Sequence, residues 1–421
     1  MADAGGDPPD PHRAGRLVPG TIVVVLSAQE TRVAESLLAD AWGPGVEVLI
    51  AEKIWGRSHV LRLSLADGRS VVLKRGRDPD SGEPRPGLPA EVAALSFLNG
   101  METPVAPRLL GATGLAGTQL GDADLLIMED LGPASSLADS LLARDPGRAA
   151  ADLVAYARSL GAMHAWSSGR GAEFAALAAR ASLGSLAGGG VPEPDWIQAT
   201  ARGKEPFLRV AAGLGLPVDG VAAEIDTLAE LMRGPGDAYT GLVHGDACPD
   251  NTQIANGVGR LFDFEFSGWG PVALDAAYLL APFPSCWCFA SLPAAVADPA
   301  LQAYRDQVTR AGVTLGPDWE VALTAALGSW IVARGPIVAE ALAEDEDWGT
   351  TTVRPRALTW LRSFADAAAR SGALPRLRAL AEALHAGLAA RWPETAVPDY
   401  PALARPGAPL AQPPEDWESA S

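Results

Sequence analysis

The chain has 421 residues, 48% of them hydrophobic, enough for one two-lobed enzyme or two ordinary domains with a substantial core. Its formal charge of −18 lacks the basic footprint that polyanion binding needs, so no nucleic-acid partner is expected. Three cysteines, Cys248, Cys286 and Cys288, make no disulfide framework; without a second pair for zinc, Cys286 and Cys288 read as buried reduced thiols, and nothing marks Cys248 as a nucleophile. Residues 1–20 are rich in Gly, Pro and Asp and are expected to be disordered. They hold no basic stretch leading into an apolar one, so no secretory leader is read and a cytoplasmic location is expected.

Ser27-x-x-Glu30 is a capping-box signature, and Val33, Leu37 and Leu38 mark one face of a helix ending near Trp42 and Gly43. From Val46 the pattern turns to strands. Residues 46–54, 60–65 and 70–74 are rich in β-formers, with Asp67-Gly68 as a turn. Between the first two lies Trp55-Gly56-Arg57-Ser58-His59, where Gly56 and small, polar Ser58 let a backbone come close to a ligand. Lys74 ends the third strand. Residues 89–98 read as a helix with a proline near its start and Glu91 in its first turn. Glu83 lies in the Gly/Pro-rich loop before it. Residues 124–132 form an apolar strand that closes on Met128, Glu129, Asp130, Leu131 and Gly132.

Beyond this point the chain reads as helical. Residues 149–166 carry Leu153, Tyr156, Leu160, Met163 and His164 at helical spacing, and His164 reads as a packed, hydrogen-bonded histidine. Residues 166–240 form an insertion of two or three helices holding Asp195, Trp196, Glu205, Phe207, Glu224 and Asp226. The longest uncharged run, residues 276–297, approaches membrane length but contains Pro282, Pro284 and Pro293, so no membrane span is expected. Leu377, Ala381, Leu384 and Leu388 make an apolar stripe in a last helical region. The tail from residue 399, rich in Pro and Ala, is expected to be flexible.

Residues 242–275 carry the chemistry. Leu242-Val243-His244-Gly245-Asp246 is followed five residues later by Asn251, then by two short strands around Asn256-Gly257, a strong hairpin turn. Asp263-Phe264-Glu265 ends the returning strand. The hairpin brings Asn251 and Asp263 to one end of a rigid support, where they offer the hard oxygens that Mg²⁺ prefers. Asp246 is left to orient a hydroxyl and accept its proton. These are the parts of phosphoryl transfer, with Gly245 where protein kinases have Arg and Glu265 where they have Gly.

His244-Gly245-Asp246…Asn251…Asp263-Phe264-Glu265, followed by Gly268-Trp269-Gly270-Pro271 and Asp275, resembles the aminoglycoside phosphotransferase/choline kinase family. The resemblance implies an α+β, protein-kinase-like bilobal fold. Its small β-rich N-lobe would span residues 21–131, its large, mainly helical C-lobe residues 132–398, and a flexible tail residues 399–421. It implies ATP and Mg²⁺ as cofactors, Asp246 as catalytic base, and Asn251 and Asp263 as metal ligands. Gly56 and Ser58 would cover the nucleotide phosphates. Lys74 would contact them, paired with Glu91 and with Glu83 as the rival partner, and backbone around Met128, Glu129 and Leu131 would meet the adenine. His244 and Asp275 would fix the catalytic loop. Phe283, Trp287, Glu340, Glu344, Asp345 and Trp348 are candidates to line the acceptor site.

The implied activity is phosphorylation of a small-molecule hydroxyl. An aminoglycoside-like or amino-sugar acceptor is favoured, with a lean toward cations because the chain is acidic. A neutral sugar, choline or homoserine stays open, as does a nucleotide-binding pseudokinase that regulates a partner. A protein kinase fits less well, since no Ala-Pro-Glu follows Asp263 and no Arg precedes Asp246. A monomer or a dimer is expected.

Overall fold

A computed structural model describes residues 22–54, 59–77, 85, 87–113, 124–181 and 195–413. The expected disordered stretch 1–20, the residues Gly56 and Ser58, and Glu83 lie outside the described residues. The chain divides into two compact units, residues 1–86 with 109–130, and residues 87–108 with 131–421.

The first unit is a helix on a five-stranded sheet. Helix α1 (Ala28–Trp42) starts at the anticipated capping box: Glu30 N–H donates to Ser27 Oγ at 3.1 Å and Ser27 N–H to the Glu30 carboxylate at 2.7 Å. Strands β1 (Val48–Lys53), β2 (Val60–Leu65), β3 (Ser70–Arg75), β4 (Leu109–Ala112) and β5 (Leu125–Glu129) pair antiparallel in the order β1-β2-β3-β5-β4. Alternation along β2 turns Leu61, Leu63 and Leu65 into a core with Leu38, Val71, Leu73 and Ile127. Each such side chain contributes about 1.5–3 kcal/mol on burial, so the period-2 pattern fixes the register. Glu30 also accepts from Arg75 Nε at 2.7 Å, tying α1 to β3.

The second unit is mostly helical. Residues 87–108, which the sequence reading grouped with the sheet, cluster here instead. They include α2 (Leu88–Leu98), apolar nearly all round and buried accordingly. Next come α3 (Leu137–Leu142), α4 (Pro146–Ser167), α5 (Gly171–Ala181), α6 (Asp195–Gly213) and α7 (Val221–Arg233). Short strands follow: β6 (Thr240–Val243) pairs with β9 (Gly268–Pro271), and between them lies the hairpin of β7 (Thr252–Ala255) and β8 (Val258–Leu261). Asn256 and Gly257 take φ of 51° and 75° at its turn, as a two-residue hairpin requires. The remaining helices are α8 (Ala273–Ala276), α9 (Ala294–Arg310), α10 (Trp319–Ala333), α11 (Gly335–Ala341), α12 (Val353–Ser371) and α13 (Pro375–Arg391).

Helix α10 is buried along almost its whole length. Among the described residues no single helix is long and apolar enough to cross a membrane, although α10 and α11 together, bent by 48°, pass on length and composition.

The segment expected to be a loose tail is anchored over residues 399–413. Tyr400 is fully buried, and the Asp399 carboxylate accepts from Arg405 at 2.8 and 2.9 Å. Pro/Ala composition suggested flexibility; one large aromatic and one ion pair override it locally.

Candidate active site

The loop after β6 is held from beneath by one buried carboxylate. Asp275, at the start of α8, accepts His244 N–H at 2.6 Å, Gly245 N–H at 3.0 Å and His164 Nε2–H at 3.1 Å. Tyr304 donates its hydroxyl to His164 Nδ1 at 2.8 Å, which sets the tautomer that leaves Nε2–H for Asp275. His164 is therefore the packed structural histidine that its helical spacing suggested, and Asp275 anchors the loop as expected. His244 is buried as well. Its Nε2 donates to the Phe262 carbonyl at 3.0 Å, so the loop is fastened to the end of β8. Gly245 takes φ of 81°, and a Cβ there would collide with the Phe266 carbonyl. The small residue in place of the kinase arginine is thus dictated by local backbone.

Asp246 lies at the centre of this loop. Its carboxylate accepts from Ser285 Oγ at 3.0 Å and from Asn251 Nδ2 at 3.2 Å, and Asn251 Nδ2 also reaches the Asp246 carbonyl at 2.9 Å. Tyr278 Oη lies 3.0 Å from Ser285 Oγ and completes the chain. Asp263 follows β8 with φ of 64°, a left-handed conformation uncommon outside Gly, Asn and Asp. Burial pushes the Asp246 carboxyl up to about 7, and the negative charges of Asp250 and Asp263 add to that. The hydrogen bonds from Ser285 and Asn251 act in the opposite sense. A carboxylate poised near neutrality in a cluster of negative charge can accept a proton and calls for a cation beside it.

The other anticipated residues fall in varied places. Lys74 is buried on β3, opposite Leu126 of β5, and Glu91 is buried on α2. Met128 and Glu129 end β5; Asp130 beside them is tied by its side chain to Arg62 Nε at 2.7 Å, and Leu131 follows in the second unit. Among the candidate lining residues, Trp287 donates its Nε1–H to Asp250 at 2.7 Å, which places it beside the catalytic loop. Phe283 is instead a core residue packed edge-on against Tyr156. Asp345 caps α12, accepting from Thr352 Oγ1 and Arg354 N–H. Glu340 and Glu344 are exposed. Glu224 caps α13 rather than facing a ligand, accepting from Leu377 N–H at 2.8 Å.

Sequence reasoning missed Ser285 and the role of Trp196, whose Nε1–H donates to the Gly245 carbonyl at 2.8 Å. No spacing signal links either to this loop, since Ser285 reaches Asp246 and Trp196 reaches Gly245 across the tertiary fold.

The cysteines require a correction. Cys248 and Cys286 form a disulfide with Cα atoms 5.7 Å apart; Cys288 alone is a buried free thiol. The partners lie 38 residues apart, so only the fold brings them together. The expectation of buried reduced thiols at Cys286 and Cys288 holds for Cys288 and not for Cys286. The Cys248 sulfur lies 3.1 Å from Asp246 Oδ1 and, having no hydrogen, donates nothing to it. Closing a loop of this length stabilises by about 4 kcal/mol on the chain-entropy account. Cys286→Ser is expected to lose up to about that much stability in denaturant titration. Reductant should bring the wild type to the same level and leave the variant unmoved.

A family model described as "Phosphotransferase enzyme family" matches residues 53–316. No curated protein matches the chain. Among solved structures, a candidate aminoglycoside phosphotransferase of Ralstonia eutropha JMP134 is similar at 17% identity with a TM-score of 0.51, over 84% of this chain and 97% of that one. An aminoglycoside phosphotransferase of Alicyclobacillus acidocaldarius is similar at 16% identity and a TM-score of 0.46, over 86% and 98% of the two chains. A choline kinase of Cryptosporidium parvum Iowa II is similar at 13% identity and a TM-score of 0.44, over 83% and 99%. The fold is the α+β, protein-kinase-like one, with a small β-rich unit and a large, mainly helical one.

Proposed function

The chain belongs to the phosphotransferase enzyme family and is a small-molecule kinase with an alcohol acceptor; from that premise we propose that it uses ATP and Mg²⁺, with Asp246 as the catalytic base. The observation that supports this most is the Asp246–Asn251 pair. Asn251 commits its amide N–H groups to Asp246, which leaves its carbonyl oxygen as a ligand atom. With the Asp263 carboxylate this makes a hard-oxygen donor set, and negative charge from Asp250 and Asp263 already bears on Asp246. The set fits Mg²⁺. When bound, the ion would neutralise charge on the donor phosphates. Asp246 orients the acceptor hydroxyl and takes its proton as the oxygen attacks the terminal phosphorus, whose bond to the bridging oxygen breaks so that ADP leaves. Ser285 and Asn251 hold the carboxylate in place. Lys74, Glu91, Gly56, Ser58 and the backbone around Met128, Glu129 and Leu131 keep the roles that the resemblance implies. Aminoglycoside-like compounds, amino sugars, neutral sugars, choline and homoserine make up the acceptor panel. In a cytoplasmic setting the Cys248–Cys286 bond would be open to reduction by low-molecular-weight thiols.

Asp263→Asn is expected to weaken MgATP binding at least tenfold while leaving metal-free ATP binding little changed, as read by calorimetry. Equal affinities with and without Mg²⁺ in the wild type would contradict the metal assignment.

The pH profile offers a second test. A base works when ionised, so kcat/KM falls about tenfold per unit below its pKa. The acid limb of the wild type should lie at or below pH 7, because a bound cation pulls the value down. Asp250→Asn removes one repelling charge and should move the limb to lower pH. A limb that stays fixed in this variant would argue against Asp246 as its source.

A further inference from the structure

Helix α6 and the α10–α11 junction meet unusually closely. A Cβ on Gly203 would collide with the Val332 carbonyl, and one on Gly335 would lie 2.6 Å from Phe207 N. Two glycines facing each other let the backbones touch, and the Thr200 and Ser329 hydroxyls hydrogen-bond across the same crossing. One consequence is that Trp196 packs tilted against Trp330, ring centroids 3.9 Å apart and planes at 39°. The other is that Arg334, the residue between α10 and α11, lies over both rings. Its guanidinium carbon is 4.7 Å from the Trp196 ring, 4.9 Å from Trp330 and 5.5 Å from Trp348.

This cation is half-buried and lacks a hydrogen-bonded or ion-paired carboxylate among the described residues, and its Nε is buried without a hydrogen-bond partner. Arg356 also has a buried Nε without a partner, but its other nitrogens donate to the Cys286, Trp287 and Trp348 carbonyls, and Arg62 donates to Asp130. Burial lowers Arg334 to about 10, and the groups that act against this are Tyr278 and Asp246. The guanidinium thus feels the catalytic base. Two short connections join its cage to that base. Trp196 donates to the Gly245 carbonyl, one residue before Asp246. The Tyr278 ring packs on Trp330 at 5.6 Å, and its hydroxyl leads through Ser285 to Asp246.

We propose that Arg334, framed by Trp196, Trp330 and Trp348, receives an anionic group of the acceptor, a carboxylate or an acid ester, while that acceptor's hydroxyl lies against Asp246. The inference deepens the phosphotransferase reading and rests on it. A planar fork of donors suits a carboxylate or phosphate, and the aromatic faces hold the fork in place without neutralising it. The surrounding ring faces suit the apolar part of a small acceptor. The expectation of a cationic acceptor came from net charge, which does not locate a pocket; at this position the local charge is positive.

The test is an equilibrium titration of the full chain, followed by tryptophan fluorescence, since three tryptophans frame the cation. Matched probes that differ in one group are used: gluconate against glucitol, glucuronate against glucose, and homoserine against homoserinol, with inorganic phosphate as a minimal anion. At least one acid should bind ten times or more tighter than its neutral counterpart. In Arg334→Gln that ratio should fall toward one, and in Arg334→Lys, which keeps the charge and loses the fork, it should be intermediate. Unfolding curves of the three proteins show that the comparison is between folded molecules. Equal binding of acids and neutrals, a ratio unchanged in Arg334→Gln, or no binding of any anion at about 10 mM would overturn the proposal. Because binding is read without turnover, an absence of phosphoryl transfer would count against the kinase reading and not against Arg334.

Discussion

Asp246→Asn is expected to lower kcat for phosphoryl transfer by about 10²–10⁴, the range for losing a general base. Its KM values should change little, because the interaction removed matters when the hydroxyl loses its proton. The same substitution should stabilise the fold at alkaline pH. The Asp246 carboxyl is raised from 3.8 to about 7, so the native state holds that proton more tightly than the unfolded state does. The resulting stability is fully present below the unfolded value and is lost as pH rises through about 7. At pH 8 the wild type carries a buried, repelled carboxylate that the amide does not. Denaturant titrations at pH 8 should therefore place Asp246→Asn at or above the wild type, together with its loss of activity. A variant that is both inactive and strongly destabilised would mean that this carboxylate holds the loop together rather than doing its chemistry.

Asp275→Ala is expected to do the reverse, costing about 3–5 kcal/mol of stability. Asp275 is fully buried and answers three N–H donors, from His244, Gly245 and His164. Removing it leaves those donors unmet in a dry site, at about 1–3 kcal/mol for each such group. The loop that carries Asp246 would lose its underside support, so activity should fall as well, with the stability loss as its companion. Asp275→Asn keeps shape and one acceptor oxygen and should lie between. The check is denaturation paired with kcat for both variants. Full stability in Asp275→Ala would show that the loop is held by other means.

How much of this was legible in the sequence follows from how local each signal is. Asp246, Asn251 and Asp263 lie within eighteen residues joined by one hairpin. Positive φ at Asn256 and Gly257 is what Asn-Gly announces, so the arrangement could be read before the fold was known. The capping box at Ser27 and Glu30 is equally local. Ser285 and Trp196 could not be read this way, because each meets the loop across tens of residues, and Arg334 is joined to it only through its tryptophan neighbours. The Cys248–Cys286 bond is of the same kind. The anchored stretch after Asp399 was hidden for a different reason: its Pro/Ala background masks the two residues, Tyr400 and Arg405, that pin it. Glu340, Glu344 and Asp345 were proposed for the acceptor site on residue type alone, and residue type does not say which way a helix end faces.

The measurement that tests the central claim most directly is transfer of the terminal phosphoryl group of isotopically labelled ATP to a panel of acceptors. The panel holds aminoglycosides, amino sugars, neutral sugars, sugar acids, choline and homoserine, with Mg²⁺ present or chelated. The account predicts a labelled phosphorylated product that requires Mg²⁺ and disappears in Asp246→Asn. Transfer that persists unchanged in Asp246→Asn, or that proceeds equally without divalent cation, would contradict it.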